Sequence, residues 1–208
     1  MHFRRFILGA AMAAPILGVM AGISPARAIT ASDAQSFINQ SGQQLVAIVN
    51  GNGSAADKAA QLRTLVNQIV AVNQVGDYVL GRYINIATPA QHDKFQQLFH
   101  QLLSYNITYQ IKAYQGISFT VNGAKPQGNG MLVDTTINTP GKAPADVAWQ
   151  VDEIGGKPQI TDVIVAGTSM CITTRNDYAS VITDNGGNVS ALLNAMQNQI
   201  EKATEAQQ

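Results

Sequence analysis

The apolar positions of this chain keep helical spacing up to about residue 115, alternate two by two from there to about 172, and return to helical spacing at the end. Ser32 opens the first helical pattern, carrying Phe37, Ile38, Leu45, Val46 and Val49, and Asn50-Gly51-Asn52-Gly53 ends it. Ser54 opens the second, with Leu62, Leu65, Val66, Ile69 and Val70 on one face. A shorter helical segment from about Val75 to Leu80 breaks at Gly81. Thr88-Pro89-Ala90-Gln91 then reads as a helix start, with a capping threonine, proline at the first position and a glutamine reaching back to the Thr88 amide. The helix it starts runs to about Tyr114 and is closed by Gly116, a length of about 40 Å.

That long helix carries two apolar stripes. Phe95, Leu98, Phe99 and Leu102 form one, continued by Tyr105 and Tyr109. Leu103, Ile107, Ile111 and Tyr114 form another, rotated by roughly 100°. A helix apolar on two sides is either held between a sheet and other helices or lines a cavity. Periodicity alone favours the first.

After Gly116 the period becomes two. Ile117, Phe119 and Val121 alternate up to Asn122-Gly123, and Met131, Val133, Thr135 and Ile137 up to Pro140-Gly141. Val147, Trp149 and Val151 end at Gly155-Gly156, and Ile160 to Val165 makes a fourth strand that Ser169 to Ile172 can extend. Strands of this length closed by turn residues read as an antiparallel meander. Helices from about Thr174 and from Asn188 complete the chain. The pattern predicts one α+β domain, with helices over 31–115, a sheet of about four strands over 116–172 and C-terminal helices over 174–204.

Residues 1–28 read as an export signal rather than as part of the fold. Arg4 and Arg5 precede an apolar run from Phe6 to Ile23, and Ala26-Arg27-Ala28 supplies a small-x-small site with cleavage expected after Ala28. Arg4-Arg5-Phe6-Ile7-Leu8 also loosely fits a twin-arginine signal. Cleavage would leave a domain of about 180 residues, enough for a real core. It would also leave ten basic residues against thirteen acidic ones, a net charge of −3. No Lys/Arg cluster is present to attract nucleic acid. The single cysteine, Cys171, has no partner for an internal disulfide and reads as a small buried apolar residue.

No catalytic constellation emerges. His92 and His100 stand eight residues apart on one helix, too far along its axis to share a metal. Gly167-Thr168-Ser169 lacks the second glycine of a nucleophile elbow, and Gly128-Asn129-Gly130 sits in a hairpin connection without a Lys-Ser/Thr pair behind it. Asp134, Asp152 and Asp162 fall on strands, where a solvated carboxylate is far commoner than a catalytic one.

Two motifs carry a family resemblance. One is Tyr78-Val79-Leu80-Gly81-Arg82-Tyr83 with Thr88-Pro89-Ala90-Gln91 and Phe95 after it. The other is Asp162-Val163-Ile164-Val165-Ala166-Gly167-Thr168-Ser169-Met170, followed by Arg175 and Tyr178. In order and spacing the chain, from about Ser32 to Ile200, resembles the MlaC or toluene-tolerance family of periplasmic phospholipid-binding proteins, which has a hopanoid-associated branch. The resemblance implies a sheet like that of the nuclear transport factor family packed against a helical subdomain, with lipid tails between them. It implies a carrier working between an outer-membrane lipoprotein complex and an inner-membrane ABC lipid transporter, with no cofactor, metal or catalytic residue. The chain departs from the family pattern at Lys157-Pro158-Gln159-Ile160, where a tryptophan is usual, at Ala166, where an acid is common, and at Ile84, where an aromatic is.

Such a carrier needs aliphatic and aromatic walls with few charges. The residues expected to line them are Val79, Tyr83, Phe99, Leu103, Ile107 and Ile111 from the helices, and Phe119, Met131, Val133, Trp149, Val151 and Val163 from the sheet. An enzyme on the same scaffold would instead hold a carboxylate such as Asp134 or Asp162 in a closed apolar pocket with a raised pKa. An adaptor would have a solid core.

Overall fold

The structure, a computed structural model, describes residues 29–109 and 115–205, with side chains through 106 in the first stretch and through 202 in the second. Helices α1 (Ala31–Asn50), α2 (Ala55–Ile69) and α3 (Val72–Leu80) are followed by a 3-10 turn at Gly81–Asn85 and by α4 (Pro89–Tyr109). Strands β1 (Ser118–Gln127), β2 (Gly130–Asn138), β3 (Ala145–Ile154), β4 (Lys157–Val165) and β5 (Thr168–Ser169) come next, then α5 (Met170–Asp184) and α6 (Val189–Glu205). The expected α+β architecture is present, and the meander gains a two-residue fifth strand.

Reciprocal capping boxes open three of the helices. Thr88 Oγ1 accepts the Gln91 amide at 3.2 Å while the Thr88 amide donates to Gln91 Oε1 at 2.9 Å, as that tetrapeptide predicts. Ser54 and Asp57 do the same for α2. The first helix starts slightly earlier than the apolar pattern suggests, because Thr30 and Asp33 form its box.

Every strand pairs antiparallel with the next. Directly paired residues share a face, and the ladder sets Val133 opposite Trp149, Trp149 opposite Val163, Met131 opposite Val151 and Phe119 opposite Ile137. One face is thereby apolar. The other carries a polar ladder, with Asn122 donating to Thr136 at 2.9 Å, Thr136 to Asp146 at 3.1 Å, and Lys125 3.3 Å from Asp134.

The expected continuation of the last strand through Ile172, with a helix only from Thr174, is corrected. Strand pairing stops at Ser169, which caps α5 by accepting the Ile172 amide at 3.0 Å. The cause is Asp162. Its carboxylate accepts from the Ser169 hydroxyl at 2.5 Å, the Cys171 amide at 3.0 Å and the Val163 amide at 2.7 Å. The start of α5 is thus fastened to β4. Ala166 and Gly167, at φ 48° and 79°, make the tight turn that brings the chain back.

Two large apolar cores result, beside a small cluster of Val49 and Leu62 between α1 and α2. In the first, α1 crosses β1 and β2, and Ala34 and Ile38 join Val133, Val151 and Ile160. In the second, Val79, Leu80, Tyr83, Phe95, Leu98 and Phe99 pack with Ile182, Leu192 and Met196 among α3 to α6. Val70 touches both cores, and the Ala71 amide donates to the Ile160 carbonyl at 3.0 Å.

The helix α1 approaches the sheet so closely that a Cβ added at Gly42 would lie 2.2 Å from the Phe119 ring. Helix propensity alone favours Gly42→Ala by about 1 kcal/mol, but overpacking costs about 1–3 kcal/mol. The variant is therefore expected to lose about 1 kcal/mol in urea unfolding, and Phe119→Leu in the same background should recover it.

Candidate functional site

The register brings the six expected sheet residues, Phe119, Met131, Val133, Trp149, Val151 and Val163, onto the one apolar face. Val133 and Val151 are fully buried and form its floor, while Met131, Trp149 and Val163 are half-buried above and beside them. Two supports flank this surface. Phe37 and Ile38 of α1 stand over β1 and β2, and Ile69 and Val70 at the end of α2 meet it at β4. Trp149 of β3, half-buried, packs in the same cluster as these two supports.

The polar demand inside this surface is met locally. Thr135, 2% exposed, accepts from Trp149 Nε1 at 2.9 Å and donates its own hydroxyl to the Val147 carbonyl at 2.8 Å. The indole ring is thus held flat against hydrocarbon with its N–H satisfied.

Four of the expected helical residues lie elsewhere. Val79, Tyr83, Phe99 and Leu103 pack in the helical core rather than against the sheet. Tyr83 Oη lies 2.8 Å from Thr183 Oγ1 and accepts from Arg82 Nη2 at 2.8 Å, and these bonds, Thr183's first, draw its pKa below that of an ordinary phenol. The Ile107 side chain and Ile111 lie outside the described residues.

A groove of about 490 Å³ runs between α1 and α2, which the apolar pattern does not mark. Ala47, Ile48, Ala60 and Leu65 supply its apolar surface, and Gln44, Gln61, Thr64 and Gln68 its polar edges, with no charged group in the lining. Beside it α1 and α2 are closed by a small apolar cluster of Val49, Leu62, Leu45 and Ile48. Beyond the groove, Lys58, 8% exposed, donates to the Val49 carbonyl at 2.8 Å and ties α2 to the end of α1.

The two sequence motifs meet across α3 and α5. The Arg175 guanidinium lies 5.1 Å from the Tyr78 ring centroid and packs over Gly81, where a Cβ would be 2.8 Å from Arg175 Nε. Gly81 also has φ 58°, so a side chain is excluded twice over. Beneath them Phe95 meets the Tyr178 ring edge-on at 5.9 Å.

The titratable groups are engaged structurally. Asp134 pairs with Lys125 on the solvated face, Asp152 accepts from Gln150 and Thr161, and Asp162 holds the turn into α5. Burial, and then the neighbouring Asp162, push the Cys171 thiol up, away from thiolate chemistry. His92 lies 2.7 Å from Asp77, and His100 lies 2.9 Å from Asn73, joining α4 to α3. Among the described residues no cluster of His, Cys, Asp and Glu could hold a metal ion, and no helix is long and apolar enough to cross a membrane.

A meander with one apolar face, packed against helices at its two sides, is the framework of this domain. The MlaC family, described as MlaC protein, matches residues 39–198, and the chain belongs to that family. It is 25% identical over 126 residues to toluene tolerance protein ttg2D of Pseudomonas putida, a match that covers 60% of this chain and 59% of that protein. It is 22% identical over 171 residues to the intermembrane phospholipid transport system binding protein MlaC of Haemophilus influenzae, covering 77% of this chain and 79% of that one. A phospholipid-binding protein from Ralstonia solanacearum, solved in complex with a phospholipid, shares the fold with a TM-score of 0.73 at 18% identity, over 82% of this chain and 98% of its own.

The Thr135–Trp149 bond can be probed directly. Thr135→Val keeps the shape but leaves the indole N–H without its acceptor, which costs about 1–3 kcal/mol. Urea unfolding followed by the fluorescence of Trp149, the single tryptophan, should show that loss, and Thr135→Ser should restore most of it.

Proposed function

We propose that this protein is a periplasmic phospholipid carrier, exported by residues 1–28 with cleavage after Ala28. It takes up acyl tails on the apolar face of its sheet and serves as the soluble substrate-binding component of an ABC-type lipid transport system. On this reading it passes lipid between an outer-membrane lipoprotein complex and an inner-membrane transporter complex. The observation that carries the proposal is the one-sided register, which collects Met131, Val133, Trp149, Val151 and Val163 on one apolar face, with Met131, Trp149 and Val163 only half-buried. Family membership and the phospholipid named for the Haemophilus and Ralstonia relatives support it.

The physical task is to replace membrane hydrocarbon with protein hydrocarbon. About 30 methylenes at about 0.8 kcal/mol each put the cost of bare tails in water near 25 kcal/mol, which forbids unaided crossing of an aqueous compartment. The tails enter between α1 and α2, the pair that borders both the open groove and the sheet surface. Val133 and Val151 form the floor, Trp149 and Met131 the walls, and the headgroup stays at the glutamine-edged groove. No proton transfer is required.

A pocket enzyme working through a strand carboxylate is disfavoured, because Asp134 is solvated beside Lys125 and the oxygens of Asp162 are occupied by the turn into α5. A hopanoid carrier is distinguished by the mass of the bound lipid. Native mass spectrometry of protein isolated from the periplasm should show stoichiometric phospholipid. Met131→Glu, at a half-buried position, should lower that occupancy more than tenfold while leaving the unfolding transition in place. Protein that is consistently free of lipid would point to an adaptor with a solid core.

A further inference from the structure

The large apolar side chains that stay exposed among the described residues are Tyr78, Ile84, Ile86, Val165, Met170 and Ile172, with Ile86 at 60% and Ile172 at 51%. All six fall in two short stretches of chain, residues 78–86 and 165–172, although the described residues span the whole fold. Packing of α5 on α3 and on the 3-10 turn brings those stretches together, with Arg175 stacked on Tyr78 at 5.1 Å as the joint. Ile172 precedes Arg175 by three residues and so shares its side of α5.

The same region is rich in arginine. Residues 29–208 contain three arginines, Arg63, Arg82 and Arg175, and two of them are here. Each guanidinium is held over a tyrosine ring, Arg82 at 5.0 Å from Tyr83. Neither forms an ion pair with a carboxylate among the described residues. Of the acids around these two segments, Asp77 is turned to His92 and Gln96 and Asp162 to the start of α5, while Asp177, two residues after Arg175, stands on another side of α5.

We propose that this face docks the protein on the surface of a bilayer that carries anionic phospholipid. Arginine matches phosphate geometrically, and isolated Ile, Met and Tyr side chains on a turn, a hairpin end and a helix start suit the boundary between headgroups and acyl chains. They protrude one by one instead of enclosing the packed hollow that anchors a protein partner. Because the rest of the mature chain is net acidic, the same membrane repels its other faces, and the contact fixes orientation as well as location. Orientation matters to the carrier reading, on which the purpose of docking rests. Val165 lies two residues beyond Val163 on the same sheet face, so the docked surface adjoins the edge of the apolar sheet.

The test is co-sedimentation of the exported protein with vesicles of phosphatidylcholine alone and with vesicles containing phosphatidylglycerol. The expected result is binding to the second only, falling steeply as salt is raised. It should drop at least tenfold in the double variant Ile86→Glu, Ile172→Glu, while the co-purified lipid seen by native mass spectrometry is unchanged. Both positions are exposed, and should the double variant fail to fold, Ile86→Ser alone is read for a smaller drop. Equal binding to both vesicles, no binding to either, or undiminished binding of the variant overturns the proposal. So does capture by a membrane protein under conditions where bare anionic vesicles are ignored. Loss of lipid occupancy with vesicle binding intact would count against the carrier reading and leave the docking face standing.

Discussion

Alternation along four antiparallel strands, shifted only at bulges by Asn122 and Thr161, is the constraint from which the rest of this structure follows. It loads one side of the sheet with Phe119, Met131, Val133, Trp149, Val151 and Val163 and the other with a solvated ladder of Thr, Asn, Asp and Lys. A sheet of that kind has to be covered on one side. Coverage here is divided: α1 takes β1 and β2, the helical layer reaches β4, and Val70 spans the two cores.

The two motifs that mark the family act through packing rather than chemistry. Asp162 fixes the turn that launches α5, and α5 in turn delivers Arg175 to Tyr78 and Gly81 and Tyr178 to Phe95. The Arg175–Tyr78 contact therefore joins α5 to α3, while Asp162 ties α5 to the sheet. Burial and the neighbouring Asp177 raise the Tyr178 phenol to about 12, consistent with an aromatic that serves as packing. Asp134, Asp152, Asp162, Cys171, His92 and His100 are each engaged in bonds of this structural kind.

Local signals in the sequence carried through well. Thr88-Pro89-Ala90-Gln91 forms the box its spacing dictates, and period-two alternation put six lining candidates on one face because the pleat allows nothing else. What did not carry through depends on tertiary partners. A helical stripe states that Val79, Tyr83, Phe99 and Leu103 are buried, yet not against which neighbour, and all four joined the helical core. The α5 boundary was hidden because Ser169 to Ile172 reads as strand until Asp162, seven residues before Ser169, is seen to cap it. The α1–α2 groove was hidden because its lining is mostly alanine, glutamine and threonine, which leave no mark in an apolar pattern.

The central claim, that acyl tails rest on the apolar face of the sheet, is tested most directly through Trp149. Loading the protein with phospholipid brominated along its acyl chains should quench the tryptophan emission strongly, whereas the same lipid without bromine should not. Full emission from protein that demonstrably carries the brominated lipid would place the tails elsewhere and contradict the account.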